Sequence, residues 1–275
     1  MIAEKELESY DAFLEERVNV AEEFIEKLKG SDKPSSVKMD KDLEDKLRAL
    51  ISKCPLRLAH SIQDFDIMAH IKKPIAPSNP LVSLPKNHSK KTLFLDLDET
   101  LVHVTTDQDK ADVILQMDTS PFTHAYIAVI FRPHLQEFLH ILKQKYELVL
   151  FTSATKPYAD PILDYIDPHN QIFTARLYRH NCHKHANSYV KDLRIFLSNG
   201  RKLKHFVIVD NSHVAFSFQL ENGVPASSFM GDKKDMELKF ILHYLLSLPN
   251  NMDCRMFNRL NFRLHDLYQL INHQS

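Results

Sequence analysis

The sequence predicts an α/β fold with a mainly parallel sheet at its centre and a helical extension at its N-terminus. Three observations carry that expectation. Short apolar runs at Thr92–Leu95, Glu147–Phe151 and His205–Val209 alternate with helical patterns, as parallel strands joined by crossover helices do. Each run ends in polar residues, and in open α/β sheets the carboxyl ends of the strands are where ligands sit. At 275 residues the chain is long enough for one sizeable α/β domain and a smaller appendage.

Residues 1–70 read as the helical extension. Leu7, Tyr10, Leu14, Ala21, Phe24 and Leu28 recur at helical spacing over residues 4–29. Gly30 and the polar run Ser31–Ser36 end that helix. A second helix is expected over residues 42–53, with Leu43, Leu47, Leu50 and Ile51 on one side. A helical pair packed on the body is the favoured reading, since such a span is short for an autonomous coiled coil. Association with a partner, or with a second copy, through the N-terminal helix is the other. Pro74, Pro77, Pro80 and Pro85 make residues 71–89 an extended linker.

The body is expected over residues 90–250. After the first strand, Asp112–Met117 and Tyr126–Phe131 flank the turn Asp118–Pro121 and read as an inserted β-hairpin. A helix over Pro133–Lys145 follows, with proline in its first turn. Glu147–Phe151 is the second buried strand, and another helix starts near Pro157. Phe173–Tyr178 and His205–Val209 are further strands, and a short strand is expected at Pro225–Phe229. A helix over Asp235–Leu246 closes the body. Residues 251–275 form a helical tail bearing Met256, Leu260, Leu264 and Leu267.

Composition excludes several functions. With 35 basic and 36 acidic residues the net charge is −1, which argues against nucleic acid as the main partner. No apolar stretch approaches the ~20 residues needed to cross a bilayer, so no membrane role is expected. Residues Met1–Glu6 carry no apolar core of a signal peptide. Three well-separated cysteines point to reduced thiols and a nuclear or cytoplasmic home. The four glycines, Gly30, Gly200, Gly223 and Gly231, have neither dinucleotide-binding nor P-loop spacing. Any phosphate must therefore be held by side chains and a metal. The run His180–His185 packs three histidines and Cys182 together, but a structural zinc site usually needs two separated ligand pairs.

The chemistry gathers at the strand ends. Asp96 and Asp98 follow the first strand two residues apart, Thr152 follows the second, and Asp210 and Asn211 follow the strand at His205–Val209. Charges at the end of a buried strand are costly unless they bind a cation or do chemistry. The spacing suits a division of labour in which Asp96 attacks phosphorus and Asp98 passes a proton to the leaving oxygen. Thr100 could fix the loop. Two carboxylates and an amide oxygen form a hard, oxygen-rich site suited to Mg²⁺. Singly, each residue also has a plainer reading: an aspartate-rich turn, a helix cap at Thr152, a turn at Asp210-Asn211.

The longer string Asp96-Leu97-Asp98-Glu99-Thr100-Leu101-Val102-His103 resembles the first motif of the haloacid dehalogenase superfamily. Its form is that of the small C-terminal-domain phosphatases, which act on phosphoserine and phosphothreonine in proteins. Leu150–Ser153, Tyr189–Leu193 and Val209–Ser212 look like that family's second, lysine and metal motifs. Arg132-Pro133-His134, Tyr158–Pro161 and Asn222–Pro225 are secondary matches. The resemblance implies a haloacid dehalogenase-like Rossmannoid sheet with a small β-hairpin insertion. It implies a Mg²⁺-dependent protein serine/threonine phosphatase working through an aspartyl-phosphate on Asp96, with a phosphoprotein as partner. Asp98 would be acid and base, and Thr152 and Lys191 would hold phosphate oxygens. Asp96, the Asp98 carbonyl and Asn211 would hold the metal, with Asp210 orienting the group. Thr100 and Arg179 would meet the substrate.

Fewer than about forty residues separate Thr152 from Lys191, too few for a large cap, and an open site admits a side chain on a protein. Substrates like the RNA polymerase II C-terminal domain fall within the resemblance. Thr155, however, stands where these phosphatases tend to be apolar, and the hairpin does not match residue by residue. The alternative is a catalytically weak binding or scaffold protein on the same fold, which the intact Asp96, Asp98 and Lys191 disfavour.

Overall fold

The computed structural model describes residues 61–85, 90–120, 123–262, 264, 265, 268 and 269. The helices expected at 4–29 and 42–53, and any association through the first of them, lie outside the described residues. The chain divides into two compact units, one of residues 1–72 with 258–275 and the other of residues 73–257. In the first, α1 (Ser61–His70) buries Met68. The second unit carries everything that follows except the last five residues of the tail helix.

Its centre is a five-stranded sheet ordered β10-β9-β1-β5-β6, built from Gly223–Pro225, Phe206–Asp210, Lys91–Leu95, Tyr146–Phe151 and Ala175–Leu177. Every pairing in it is parallel. β1, β5 and β9 are buried along their whole length. They accordingly read as continuous apolar runs rather than alternating ones. Phe94 sits among Phe151, Phe196 and Phe206, with ring centroids 6.5, 4.6 and 5.4 Å away. α2 (Leu135–Lys145) buries Leu135, Phe138, Leu139 and Leu142, the single stripe that a 3.6-residue period puts on one face. α4 (Glu237–Ser247) buries Leu238, Ile241 and Leu245 on the same principle and packs against α2. α3 (Lys156–Ile166) opens with Pro157 in its first turn.

The insertion is larger than a hairpin. β3 (Val113–Ser120) and β4 (Thr123–Phe131) pair antiparallel as expected, and β2 (Val102–Thr105) adds a third strand on the other side of β4. Val102 and His103 read as the tail of a motif, and the strand they open pairs because Phe131, which ends β4, lies opposite Val102. A second small hairpin, β7 (His183–His185) with β8 (Ser188–Val190), delivers the chain to Lys191.

Two expected boundaries are corrected. The helix expected from Pro133 starts at Leu135 because His134 takes a left-handed conformation (φ 67°). The edge strand expected at Pro225–Phe229 lies at Gly223–Pro225. Beyond it, backbone amides turn to the loops below, Ala226 donating to the Asp210 carbonyl at 2.9 Å and Phe229 to that of Glu99 at 2.7 Å. α5 (Cys254–Phe262) is the helix of the tail.

Residues 73–85 have no regular structure but lie along the body. Val82 donates its amide to the Ile195 carbonyl at 2.7 Å, Leu84 is buried, and the Arg194 guanidinium bonds the carbonyls of Pro74 and Ile75. Prolines supply an extended backbone, and these bonds give it a berth.

Candidate active site

Register brings the expected residues together. Leu95 of β1 lies level with Leu150 of β5 and Val209 of β9, so the residues that follow each strand emerge side by side. Asp96 donates its amide to the Val209 carbonyl at 3.1 Å, carrying the ladder one step past the strand. The loop then turns sharply. Leu97 accepts from the amides of Leu101 (2.8 Å) and Val102 (3.1 Å), and Glu99 is left-handed at φ 58°. Such a conformation costs of order 1 kcal/mol or more in a residue with a Cβ and persists only where the surroundings fix it. Here Arg132 does so from beneath. Fully buried, it donates Nη1 to the Thr100 carbonyl at 3.0 Å and grips Asp235 with Nε and Nη2 at 2.8 and 2.9 Å.

Lys191 is the electrostatic centre. Its Nζ donates to Asp96 Oδ1 at 2.5 Å and Asp210 Oδ2 at 2.6 Å, all three groups being buried. Burial by itself favours the neutral amine, but Asp210 and Asp96 outweigh it and hold the Lys191 pKa above its ordinary value. Burial pushes the Asp210 carboxyl up, with Lys191 pulling the other way. Two carboxylates around one ammonium leave the cluster one positive charge short. Asp210 also accepts from the Ser212 amide at 2.9 Å, so both its oxygens are occupied.

The second oxygen of Asp96 faces elsewhere. Thr100 Oγ1 stands 3.3 Å from Asp96 Oδ2 and 3.3 Å from Asn211 Oδ1, so a carboxylate oxygen and an amide oxygen converge on one hydroxyl. The Asn211 amide is held that way because its Nδ2 donates to Glu99 Oε2 (3.2 Å) and Ser228 Oγ (3.1 Å). These are hard oxygen donors. Among the described residues no group of three or more His, Cys, Asp and Glu side chains is placed to hold a metal ion. A donor set of one carboxylate, one amide and backbone oxygen fits Mg²⁺, which keeps several waters and uses few protein ligands.

Asp98 stands apart from this cluster. The Tyr158 hydroxyl donates to its Oδ1 at 2.5 Å. Burial raises the Asp98 carboxyl to about 6, the Tyr158 bond partly opposing it. Thr152 is fully buried and its Oγ1 accepts from the Ala154 amide at 3.0 Å, pinning the turn after β5. Arg179 is exposed at the rim, bonding the Ser153 carbonyl through Nε at 2.7 Å with its guanidinium 5.1 Å from the centre of the Tyr189 ring. The His180–His185 run disperses. Cys182 Sγ points at the Thr152 carbonyl (3.7 Å), whereas His183 Nδ1 pairs with Ser78 Oγ at 2.7 Å.

All eight expected residues therefore lie at this sheet end. Sequence reasoning assigned no role to Tyr158, Glu99, Ser228 or Arg132. Two of these stand inside the secondary matches Tyr158–Pro161 and Arg132-Pro133-His134, which was the available signal; nothing in the sequence ties Glu99 or Ser228 to Asn211.

The sequence profile of the NLI interacting factor-like phosphatase family matches residues 91–255, which contain every one of these groups. The chain belongs to that family. Among curated relatives of this NLI interacting factor-like chain, "CTD small phosphatase-like protein 2" of Dictyostelium discoideum is 40% identical over 195 residues, 70% of this chain and 33% of that protein. The human "CTD small phosphatase-like protein" is 39% identical over 168 residues, 61% of this chain and 59% of that one. The chain thus spans between about a third and three fifths of the length of these two relatives. A solved structure of Fcp1, described as an essential RNA polymerase II CTD phosphatase, aligns with a TM-score of 0.46 at 19% identity, covering 66% of this chain and 64% of that one.

Proposed function

We propose that the chain is a protein serine/threonine phosphatase that works through a phosphorylated Asp96. One observation carries the reading: a buried aspartate held on one oxygen by Lys191 presents its other oxygen beside the fixed amide oxygen of Asn211. Asp96 attacks phosphorus in line, and the bond from phosphorus to the serine or threonine oxygen breaks. Asp98, raised to about 6, gives its proton to that departing oxygen. It then takes a proton from the water that cleaves the aspartyl-phosphate, which returns Asp96 and releases phosphate. Lys191 and Thr152 hold the equatorial oxygens, and Asp210 keeps Lys191 aimed. Mg²⁺ bound by Asp96, the Asp98 carbonyl and Asn211 would offset the repulsion between an anionic nucleophile and an anionic phosphate.

A protein substrate follows from access. Between Thr152 and Lys191 the described chain supplies only α3, β6, a short turn and the β7–β8 hairpin, with no cap to close over a small molecule. Arg179, exposed beside the turn at Ser153, would meet residues next to the phosphate. The relatives' names, CTD small phosphatase-like, support a CTD-like phosphoprotein segment as the substrate class.

The test is hydrolysis of p-nitrophenyl phosphate and a panel of phosphoserine peptides, with Mg²⁺ or EDTA, by wild type and Asp96→Asn. Metal-dependent turnover lost in the variant is the expected outcome. No turnover by folded, metal-loaded wild type would overturn the reading in favour of a scaffold.

A further inference from the structure

The Asn211 side chain can turn either of two atoms toward Asp96, and one of them is useful there. An amide oxygen binds a cation, whereas an amide nitrogen only donates and would bond the carboxylate instead. The two orientations differ by a half-turn about one bond, and an anionic Asp96 favours the wrong one. Thr100 does not decide between them. Its hydroxyl, 3.3 Å from both Asp96 Oδ2 and Asn211 Oδ1, has one proton to give and can equally accept from a reversed amide.

The choice is made on the far side of the amide. Glu99 Oε2 lies 3.2 Å and Ser228 Oγ 3.1 Å from Asn211 Nδ2. A carboxylate only accepts, so it takes the nitrogen and repels the oxygen. Both groups come from one join in the backbone. The Glu99 carbonyl accepts from the Phe229 amide at 2.7 Å, which ties the turn after β1 to the loop after β10 that carries Ser228.

A second, independent observation singles out Glu99. Its φ is 58°, and its amide is committed to the Val102 carbonyl at 2.7 Å. Glycine takes such a conformation without penalty, and a residue with a Cβ does not. Strain kept beside a reactive aspartate points to a use for the side chain that bears it. Among the described residues, the hydrogen-bond partner of that side chain is the Asn211 amide.

Resting on the metal-dependent reading above, we propose that Glu99 and Ser228 are positioning residues that turn the Asn211 oxygen toward Asp96 and so set the affinity of the site for a divalent cation. Both act through Asn211. Their loss lets the amide reverse, which removes one oxygen from the metal and places a competing donor on Asp96.

The test is metal binding by the full chain without substrate. The probe is Mn²⁺, with the free ion counted by electron paramagnetic resonance and Mg²⁺ as competitor. Ser228→Ala and Glu99→Gly each remove one acceptor and should weaken binding about tenfold or more, the scale for a group that orients a metal ligand. Glycine accepts the φ at position 99, so Glu99→Gly should keep the fold. Glu99→Gln drops the charge but keeps an acceptor oxygen, and should bind within about threefold of wild type. In EDTA the Asn211 side-chain amide protons of wild type should show NOEs to the Ser228 methylene. Equal weakening by Glu99→Gln and Glu99→Gly would mean that the carboxylate acts by charge through space. Unchanged affinity in both Ser228→Ala and Glu99→Gly would mean that the amide needs no holding. Either result, or amide NOEs to Thr100 in place of Ser228, overturns the inference and leaves the metal reading standing. Folded wild type that binds no Mn²⁺ displaced by Mg²⁺ overturns the metal reading and the inference with it.

Discussion

One strand joins two opposite electrostatic environments. At the carboxyl end of β1, Asp96 and Asp210 hold one lysine between them and the balance is negative; at its amino end, Lys91, Lys145 and Arg201 gather, with Arg201 gripping Glu147. Both belong to the same strand, yet they are held differently. The aspartates are met chiefly by side chains, the Lys191 ammonium and the hydroxyls of Thr100 and Tyr158. The lysines are met by main-chain carbonyls at the end of a helix, a favourable place for cations. The first arrangement leaves one oxygen of Asp96 beside the amide oxygen of Asn211, whereas the second secures the helix end. Charge alone does not make a catalytic site; what matters is which atoms are left to act.

That contrast predicts where substitutions hurt chemistry and where they hurt stability. The largest effect belongs to Asp96→Asn. Turnover should fall by roughly four orders of magnitude or more, the scale of losing a nucleophile. The thermal melt should survive, because the variant removes one of two carboxylates from a single ammonium. Activity within tenfold of wild type would remove Asp96 from the role of nucleophile. Next is Lys191→Ala, with an expected loss in kcat of about two orders of magnitude, the scale of one positioned charge stabiliser. It should also be less stable in urea, since Asp96 and Asp210 are left buried without their cation. An unchanged rate would detach Lys191 from the chemistry.

At the other end the balance should reverse. Tyr146, buried at the start of β5, donates its hydroxyl to the Leu245 carbonyl at 2.6 Å. Tyr146→Phe should cost about 1 kcal/mol in urea unfolding, the ordinary worth of a hydrogen bond, and leave kcat as it was. A fall in kcat without a loss of stability would mean that the two ends are coupled.

The same contrast explains what was legible in the sequence. The central strands could be read because parallel strands buried on both faces must be apolar throughout, and the runs around Phe94, Val149 and Ile208 are. The reactive residues could be read because each directly follows such a run. β2 could not, since Val102–Thr105 is half polar and pairs with a strand more than twenty residues away. The supports of the site were equally hidden. Tyr158 reaches Asp98 across 60 residues and Asn211 reaches Glu99 across 112, separations at which one sequence carries no spacing signal. The basic end was invisible for a related reason. Lys90, Lys145 and Arg201 are far apart in the chain and form no motif, and only the parallel register of β1, β5 and β9 gathers them.

The smallest expected effect concerns Asp98, where the two kinds of environment meet in one residue. Burial drives its carboxyl up to about 6, as burial drives Lys91 down, and the Tyr158 hydroxyl is the side-chain donor that favours its charged form. An acid raised from 3.8 to about 6 by folding gives stability that is full below pH 3.8 and is lost as the pH rises through about 6. Tyr158→Phe removes the opposing bond but leaves the ring. The Asp98 pKa in EDTA, followed by carboxyl ¹³C NMR, should therefore rise above the wild-type value, and the loss of stability should move to higher pH with it. Under Mg²⁺ the same variant should hold its general acid protonated to higher pH, shifting the alkaline limb of kcat upward. An Asp98 titration that stays where it was, or moves down, would show that the hydroxyl does not tune this carboxyl and that burial alone sets it.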